Sequence, residues 1–213
     1  IRAVPCPVHG LLFALAERPC EATRPEDEYA GQRARFRALL GRASIAVQLD
    51  SGVGDAVVAE PKEITYPTLL SALAAPRLRA YPREQAVAEK FEAMVKRDTH
   101  NSRMKDFHDV WALAGAFAFD GASLQRAVAA CFERRGTAWT AEAPRVLTSA
   151  FYQIPEIATR WRSYRTAGAV LILPPAQFED IGERVVQFLR LVRDSIVGGE
   201  EFGSNWPPGG PWR

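Results

Sequence analysis

Apolar residues along this chain follow two rhythms. Up to about residue 80 they alternate with polar ones, and beyond it they return at three- and four-residue steps. Side chains alternate across a strand and recur every 3.6 residues on a helix, so the first rhythm predicts strands and the second helices. Arg33-Ala34-Arg35-Phe36-Arg37-Ala38-Leu39 alternates basic with apolar, Gly41 makes a turn, and Ser44 to Asp50 alternates again with Ile45, Val47 and Leu49 on one side. That spacing predicts a hairpin. Leu11 to Leu15, residues 60–66 and Arg77 to Tyr81 predict shorter extended segments, the first of them a buried strand in preference to the stub of a helix.

The helical rhythm starts after Pro82, a residue favoured at a first helical turn. Val87, Phe91, Met94 and Val95 form one stripe, a polar connector runs from Asp98 to Ser102, and Phe107, Val110, Trp111 and Ala114 form the stripe of a second helix. Ser123 offers a cap for a third helix carrying Leu124, Val128, Cys131 and Phe132, which Gly136 stops. A fourth helix follows Ile154-Pro155 with Ile157, Trp161 and Tyr164, and a last one follows Pro174-Pro175 with Phe178, Ile181, Val185, Leu189, Val192 and Ile196. The expected class is α+β: a β-rich part over 1–80, a helical bundle over 81–197 and a flexible Gly/Pro-rich tail over 198–213.

Composition narrows this picture only mildly. At 213 residues, 47% hydrophobic and 24% charged, the chain is one large domain or two small subdomains with enough apolar material for a core. A net charge of +2 is too small to demand nucleic acid, although a local basic patch is compatible with it. Cys6, Cys20 and Cys131 are odd in number and far apart, so neither a zinc site nor a disulfide framework is expected, and the reducing cytoplasm is the simplest compartment. No apolar run reaches the length of a membrane span.

The chemistry concentrates between residues 81 and 117. Lys90 stands at the margin of its helix's apolar stripe, Asp106 and Asp109 are three residues apart on one face of the next helix, and Lys105 is one turn from Asp109. If the two helices pack together, an ammonium and two carboxylates converge at the edge of the core. Such a group can hold a phosphate by the lysine while a carboxylate orients the amine or takes a proton. An ordinary salt bridge between solvated charges satisfies the same spacing and is the commoner outcome. Asp50, at a strand end before Ser51-Gly52-Val53-Gly54, stands where a Mg²⁺ ligand could sit, or simply caps a turn; Asp55, past the glycines, is a weaker candidate.

Five segments carry a family likeness: IAVQLDSGVGDAV at 45–57, EITYPTLL at 63–70, PRLRAYPREQAVAEKFEAMV at 76–95, NSRMKDFHDVWALA at 101–114 and FDGASLQRAVAACFERRGT at 119–137. Over roughly residues 25–190 the chain resembles the AbiEii/AbiGii toxin family. These are nucleotidyltransferases of bacterial abortive-infection and toxin–antitoxin systems, with a DNA-polymerase-β-like core and a helical C-terminal part. The resemblance implies a partial nucleotidyltransferase-type mixed β-sheet followed by helices. It also implies transfer of a nucleoside monophosphate from an NTP to an acceptor such as tRNA, with Mg²⁺, and a cognate antitoxin encoded nearby. Lys90 matches the family's active-site lysine, and either Asp106 or Asp109 its partner aspartate. Arg103 and Lys105 would join Lys90 in binding the nucleotide, and Asp50 would bind the metal.

The family's Gly-Ser turn and Asp-x-Asp pair would lie upstream of about residue 20. Here the first Gly-Ser is Gly203-Ser204 and no Asp-x-Asp occurs. The chain is therefore expected to be a family member entered partway through (a truncated chain, a pseudoenzyme or half of a split protein), with catalysis by these residues alone not expected. The alternative function is a non-catalytic module that binds RNA or protein through Arg33, Arg35 and Arg37 and the arginines around Trp161.

Overall fold

A computed structural model of the chain describes residues 10–14, 21–23, 31–51, 60–68, 71–72, 74–167 and 172–213. Cys6, Cys20, Gly52 to Gly54 and Asp55 lie outside the described residues. The chain divides into two compact units after Asp55.

In the first unit, strands β1 (Leu12–Ala14), β2 (Glu21–Thr23), β3 (Gly31–Leu40) and β4 (Ala43–Ser51) form one antiparallel sheet in which β3 pairs with the other three. Gly41 makes the β3–β4 turn at φ +57°, a conformation glycine adopts without a Cβ penalty. The alternation of β3 works as expected: Phe36 and Ala38 are buried while Arg35 and Arg37 face out. Ala38 lies opposite Ile45, and Ala34 opposite Leu49.

The second unit opens with a hairpin of β5 (Lys62–Thr65) and β6 (Arg77–Ala80). Then come α1 (Arg83–Arg97), α2 (Met104–Ala116), β7 (Phe119–Asp120), α3 (Gly121–Arg134), α4 (Ser149–Tyr152), α5 (Pro155–Thr166), α6 (Phe178–Gly198) and β8 (Asn205–Trp206). The class is α+β, and every described strand pairing is antiparallel. The border falls after residue 55 rather than at 80, because β5 and β6 pair with each other and group with the helices.

The apolar stripes meet in one core. Val87, Phe91 and Met94 of α1, Phe107 and Val110 of α2, Leu124, Val128 and Phe132 of α3, and Ile181, Val185 and Leu189 of α6 are all buried. The α3 cap differs from expectation. Asp120 Oδ1 accepts the Ser123 N–H at 2.8 Å, so the carboxylate three residues earlier is the cap and Ser123 sits inside the first turn.

Residues 198–213 are not a loose tail. β8 pairs with β7, Trp206 is fully buried, and its Nε1 donates to the Ala114 carbonyl at 2.7 Å. Trp212 stacks on Phe188 at 5.7 Å with its Nε1 donating to the Phe188 carbonyl. Gly121 permits this closure: a Cβ there would come within 2.8 Å of the Phe202 carbonyl oxygen. Glycines and prolines here shape a turn that returns two indoles to the core, instead of marking disorder. Trp206→Ala is accordingly expected to destabilise the helical unit by about 3–5 kcal/mol, read as a lowered urea midpoint; a flexible tail would leave the midpoint unmoved.

Candidate active site

The site grows from one turn of α1 and the first two turns of α2. Lys90 lies between the buried residues Val87 and Phe91 and is itself half-buried, so its stem runs along apolar surface and its amine emerges at the edge. Before α2 the chain passes through a 3₁₀ turn, Asp98–His100. That turn is anchored twice. Arg160 donates to the carbonyls of Thr99 and Asn101 at 2.6 and 3.3 Å, and the Asn101 side chain accepts the Arg103 N–H at 2.8 Å. Asp106 then falls in the first turn of α2, where the positive end of the helix dipole favours a carboxylate.

Lys90 Nζ bridges both aspartates, at 3.3 Å from Asp106 Oδ1 and 2.6 Å from Asp109 Oδ2. Arg103 Nε approaches Asp106 Oδ2 at 2.9 Å and Lys105 Nζ donates to Asp109 Oδ2 at 2.5 Å. The two acids are not equivalent. The Asp106 side chain is only 2% exposed, whereas Asp109 is 23% exposed and Lys90 22%. A carboxylate that deep must be paired, so Asp106 is an internal anchor, while Asp109 is the acid that a ligand can reach. Three cations face two carboxylates, which leaves the cluster with net positive charge.

Burial pushes the Asp109 pKa upward, but hydrogen bonds from Lys105 and Lys90 outweigh it and leave the carboxyl below its ordinary value. His108, between the two aspartates in sequence, turns the other way. It is 6% exposed, and its Nδ1 is 2.9 Å from the Tyr164 hydroxyl. Burial, against the opposing pull of Asp109 and of a hydrogen bond to the Ile172 backbone, lowers the His108 pKa and keeps the ring neutral near pH 7. Burial raises the Tyr164 pKa, and Asp109 adds to this while Lys90 opposes it, so the phenol stays protonated and within the field of the cluster. Periodicity assigns Tyr164 to a core stripe and gives His108 no role. Only the packing of α5 on α2 joins them, since 56 residues separate the pair.

Lys90, Arg103, Lys105, Asp106 and Asp109 are thus brought together. Asp50 belongs to the first unit, where Arg33 Nε and Nη2 donate to its two oxygens at 2.7 and 3.0 Å and Gln48 adds a bond at 3.1 Å. Arg33, as the largest cause, holds the Asp50 pKa below its ordinary value. The arginine row of β3 is likewise engaged internally: Arg35 pairs with Glu21 at 2.9 Å and Arg37 donates to Ser44 at 2.6 Å. Among the described residues no three His, Cys, Asp or Glu side chains are grouped to hold a metal ion, and no helix is long and apolar enough to cross a membrane.

The sequence model of one family, described as "Nucleotidyl transferase AbiEii toxin, Type IV TA system", matches residues 12–184. Neither a curated protein nor a solved structure matches the chain.

The charge cluster has a pH signature. A carboxyl with a depressed folded-state pKa contributes stability above its unfolded value, near pH 4, and loses it as pH falls through the folded value. The Asp109→Asn variant is therefore expected to converge on the parent protein in stability at the acid end and to fall below it from about pH 4 upward, measured by urea midpoints across pH. A stability difference independent of pH would show that the Asp109 charge is not held by its lysines.

Proposed function

Because the chain belongs to the AbiEii family of nucleotidyl transferase toxins of type IV toxin–antitoxin systems, we propose that it moves a nucleoside monophosphate from an NTP to an acceptor hydroxyl, tRNA being one such acceptor. The acceptor oxygen bonds to the α-phosphorus, the bond to the pyrophosphate oxygen breaks, and pyrophosphate leaves. The observation that carries this reading is the Lys90 ammonium held between Asp106 and Asp109 at 3.3 and 2.6 Å. In this reading Lys90 meets the charge on the phosphates, and the exposed Arg103 and Lys105 extend the positive surface.

Asp109 fits an orienting role better than that of a base. Its pKa lies below the ordinary carboxylate value, and a general base works best when its pKa is near the working pH. Asp106, buried and paired with Arg103, fixes the start of α2 and so the position of Asp109. Membership of a toxin–antitoxin family also implies a cognate antitoxin.

Magnesium, which the family implies, does not fit the described residues. Asp106 and Asp109 are covered by cations, and Asp50 is held at both oxygens by Arg33. No step is assigned to it. The alternative of a non-catalytic RNA-binding module draws no support from β3, whose Arg33 and Arg35 face their own carboxylates.

The Lys90→Met variant, which keeps the apolar stem, is expected to lower nucleotide transfer by roughly 10²–10³-fold. The assay follows labelled NMP from each of the four NTPs into tRNA or protein acceptors, using the full-length protein. No labelled product from the parent protein, or an unchanged rate in the variant, would overturn the reading.

A further inference from the structure

β4 is the edge of its sheet, and it lacks what usually guards an edge. It pairs with β3 on one side and, among the described residues, with no strand on the other. A long open edge is normally blunted by lysine, proline or a bulge, since its free N–H and C=O groups would template another chain. From Ala43 to Ser51 there is no lysine and no proline, every pair with β3 is one-to-one, and Asp50 is the lone charge. The other hairpin shows the contrast: β5 carries Lys62 and Glu63, and β6 carries Arg77 and Arg79.

Hairpin geometry decides which groups are open. Gly41-Arg42 is a two-residue loop closed by Leu40 and Ala43. From that closing pair onward, pairs that exchange hydrogen bonds alternate with pairs that do not. Ala43, Ile45, Val47 and Leu49 therefore bond to β3, while Ser44, Ala46, Gln48 and Asp50 turn their N–H and C=O groups to the open side. Every β4 residue is exposed except Val47, which is half-buried.

The strand also matches itself when reversed. About Val47, Ile45 mirrors Leu49, Ala46 mirrors Gln48, and Ser44 mirrors Asp50. Set antiparallel against a second β4 with Val47 on the twofold axis, all nine residues pair. The open groups of Ala46 then meet those of Gln48, and those of Ser44 meet those of Asp50. On the apolar face Ile45, 52% exposed, comes opposite Leu49, 46% exposed. On the other face Asp50 comes opposite Ser44, the hydroxyl to which Arg37 donates at 2.6 Å. Among the described residues Arg33 and Arg35 are paired with carboxylates and Arg37 is not, so the incoming acid arrives beside the arginine of this row that lacks one.

We propose that β4 is a dimerisation edge: two copies of the chain join β4 to β4 in antiparallel register about Val47, merging two four-stranded sheets into one. A twofold contact requires a surface complementary to itself, and the mirrored pattern of β4 meets that requirement, whereas a strand from an unrelated partner does not call for it.

Sedimentation equilibrium of the full-length protein is expected to show monomer and dimer in exchange. Ala46→Pro removes an open N–H, and Ile45→Lys sets an ammonium on the joined apolar face; each is expected to raise the dimer Kd at least about tenfold. Ile45 is exposed in the single chain, so its variant decides the matter should the proline disturb the fold, which circular dichroism reports. Val47→Cys reads the register, because the two copies of that residue face each other across the axis within disulfide reach. Mild oxidation is expected to cross-link this variant into a covalent dimer beyond any that the parent protein forms. A monomer at every concentration, a dimer indifferent to both substitutions, or a Val47→Cys variant that stays uncross-linked overturns the inference. So does a monomer whose Ala46 and Gln48 amides resist hydrogen exchange, since its own chain then covers the edge.

Discussion

A carboxylate buried to 2% exposure governs the helical unit. Asp106 must be paired, because an isolated charge out of water costs several kcal/mol that only a close, well-placed cation offsets. Lys90 and Arg103 provide that pairing from either side. The requirement sets how α1 and α2 pack, since the amine reaches Asp106 only when Lys90 stands level with the first turn of α2. Once that level is set, Asp109, one turn on, meets the same amine at 2.6 Å. The anchor thereby presents a second, more accessible acid beside a lysine.

Around this edge the core is unusually aromatic, and the rings hold the helices that carry the charges. Phe107, next to Asp106, contacts Phe151, Tyr152 and Phe178, and Trp161 of α5 packs on Phe178. Tyr164, one turn past Trp161, is brought by that packing to His108. The C-terminal indoles close the opposite end, with Trp206 bonded to the last turn of α2 and tilted against Phe188. A charge cluster on helices braced at both ends keeps its geometry without help from a ligand.

α1 connects the charge cluster to the core of this unit. Its middle holds Lys90, its buried stripe packs on α3, and its C-cap is Asp98 at φ +44°. The second buried acid of α1, Glu92, is satisfied by Arg135 at 3.0 Å and Thr137 at 2.6 Å, which ties the helix to the loop leading to Trp139.

Much was legible in the residue pattern alone, because it depends on neighbours. The hairpin about Gly41, the stripes of α1, α2, α5 and α6, and the placing of Lys90 with Asp106 and Asp109 at facing helix edges all follow from local period and short spacing. So does the family, whose segments lie in order along the chain. What depends on distant partners was not legible. Whether Asp106 or Asp109 lies deeper is decided by what packs over α2; the fate of Trp206 and Trp212 is decided by a turn that brings them back to Ala114 and Phe188; and Asp50 is claimed by an arginine seventeen residues away across a strand pair. Local sequence determines which face of an element is apolar and which residues share it. Only the folded chain decides which polar groups are taken out of water, since burial is a property of all the elements that meet at a point.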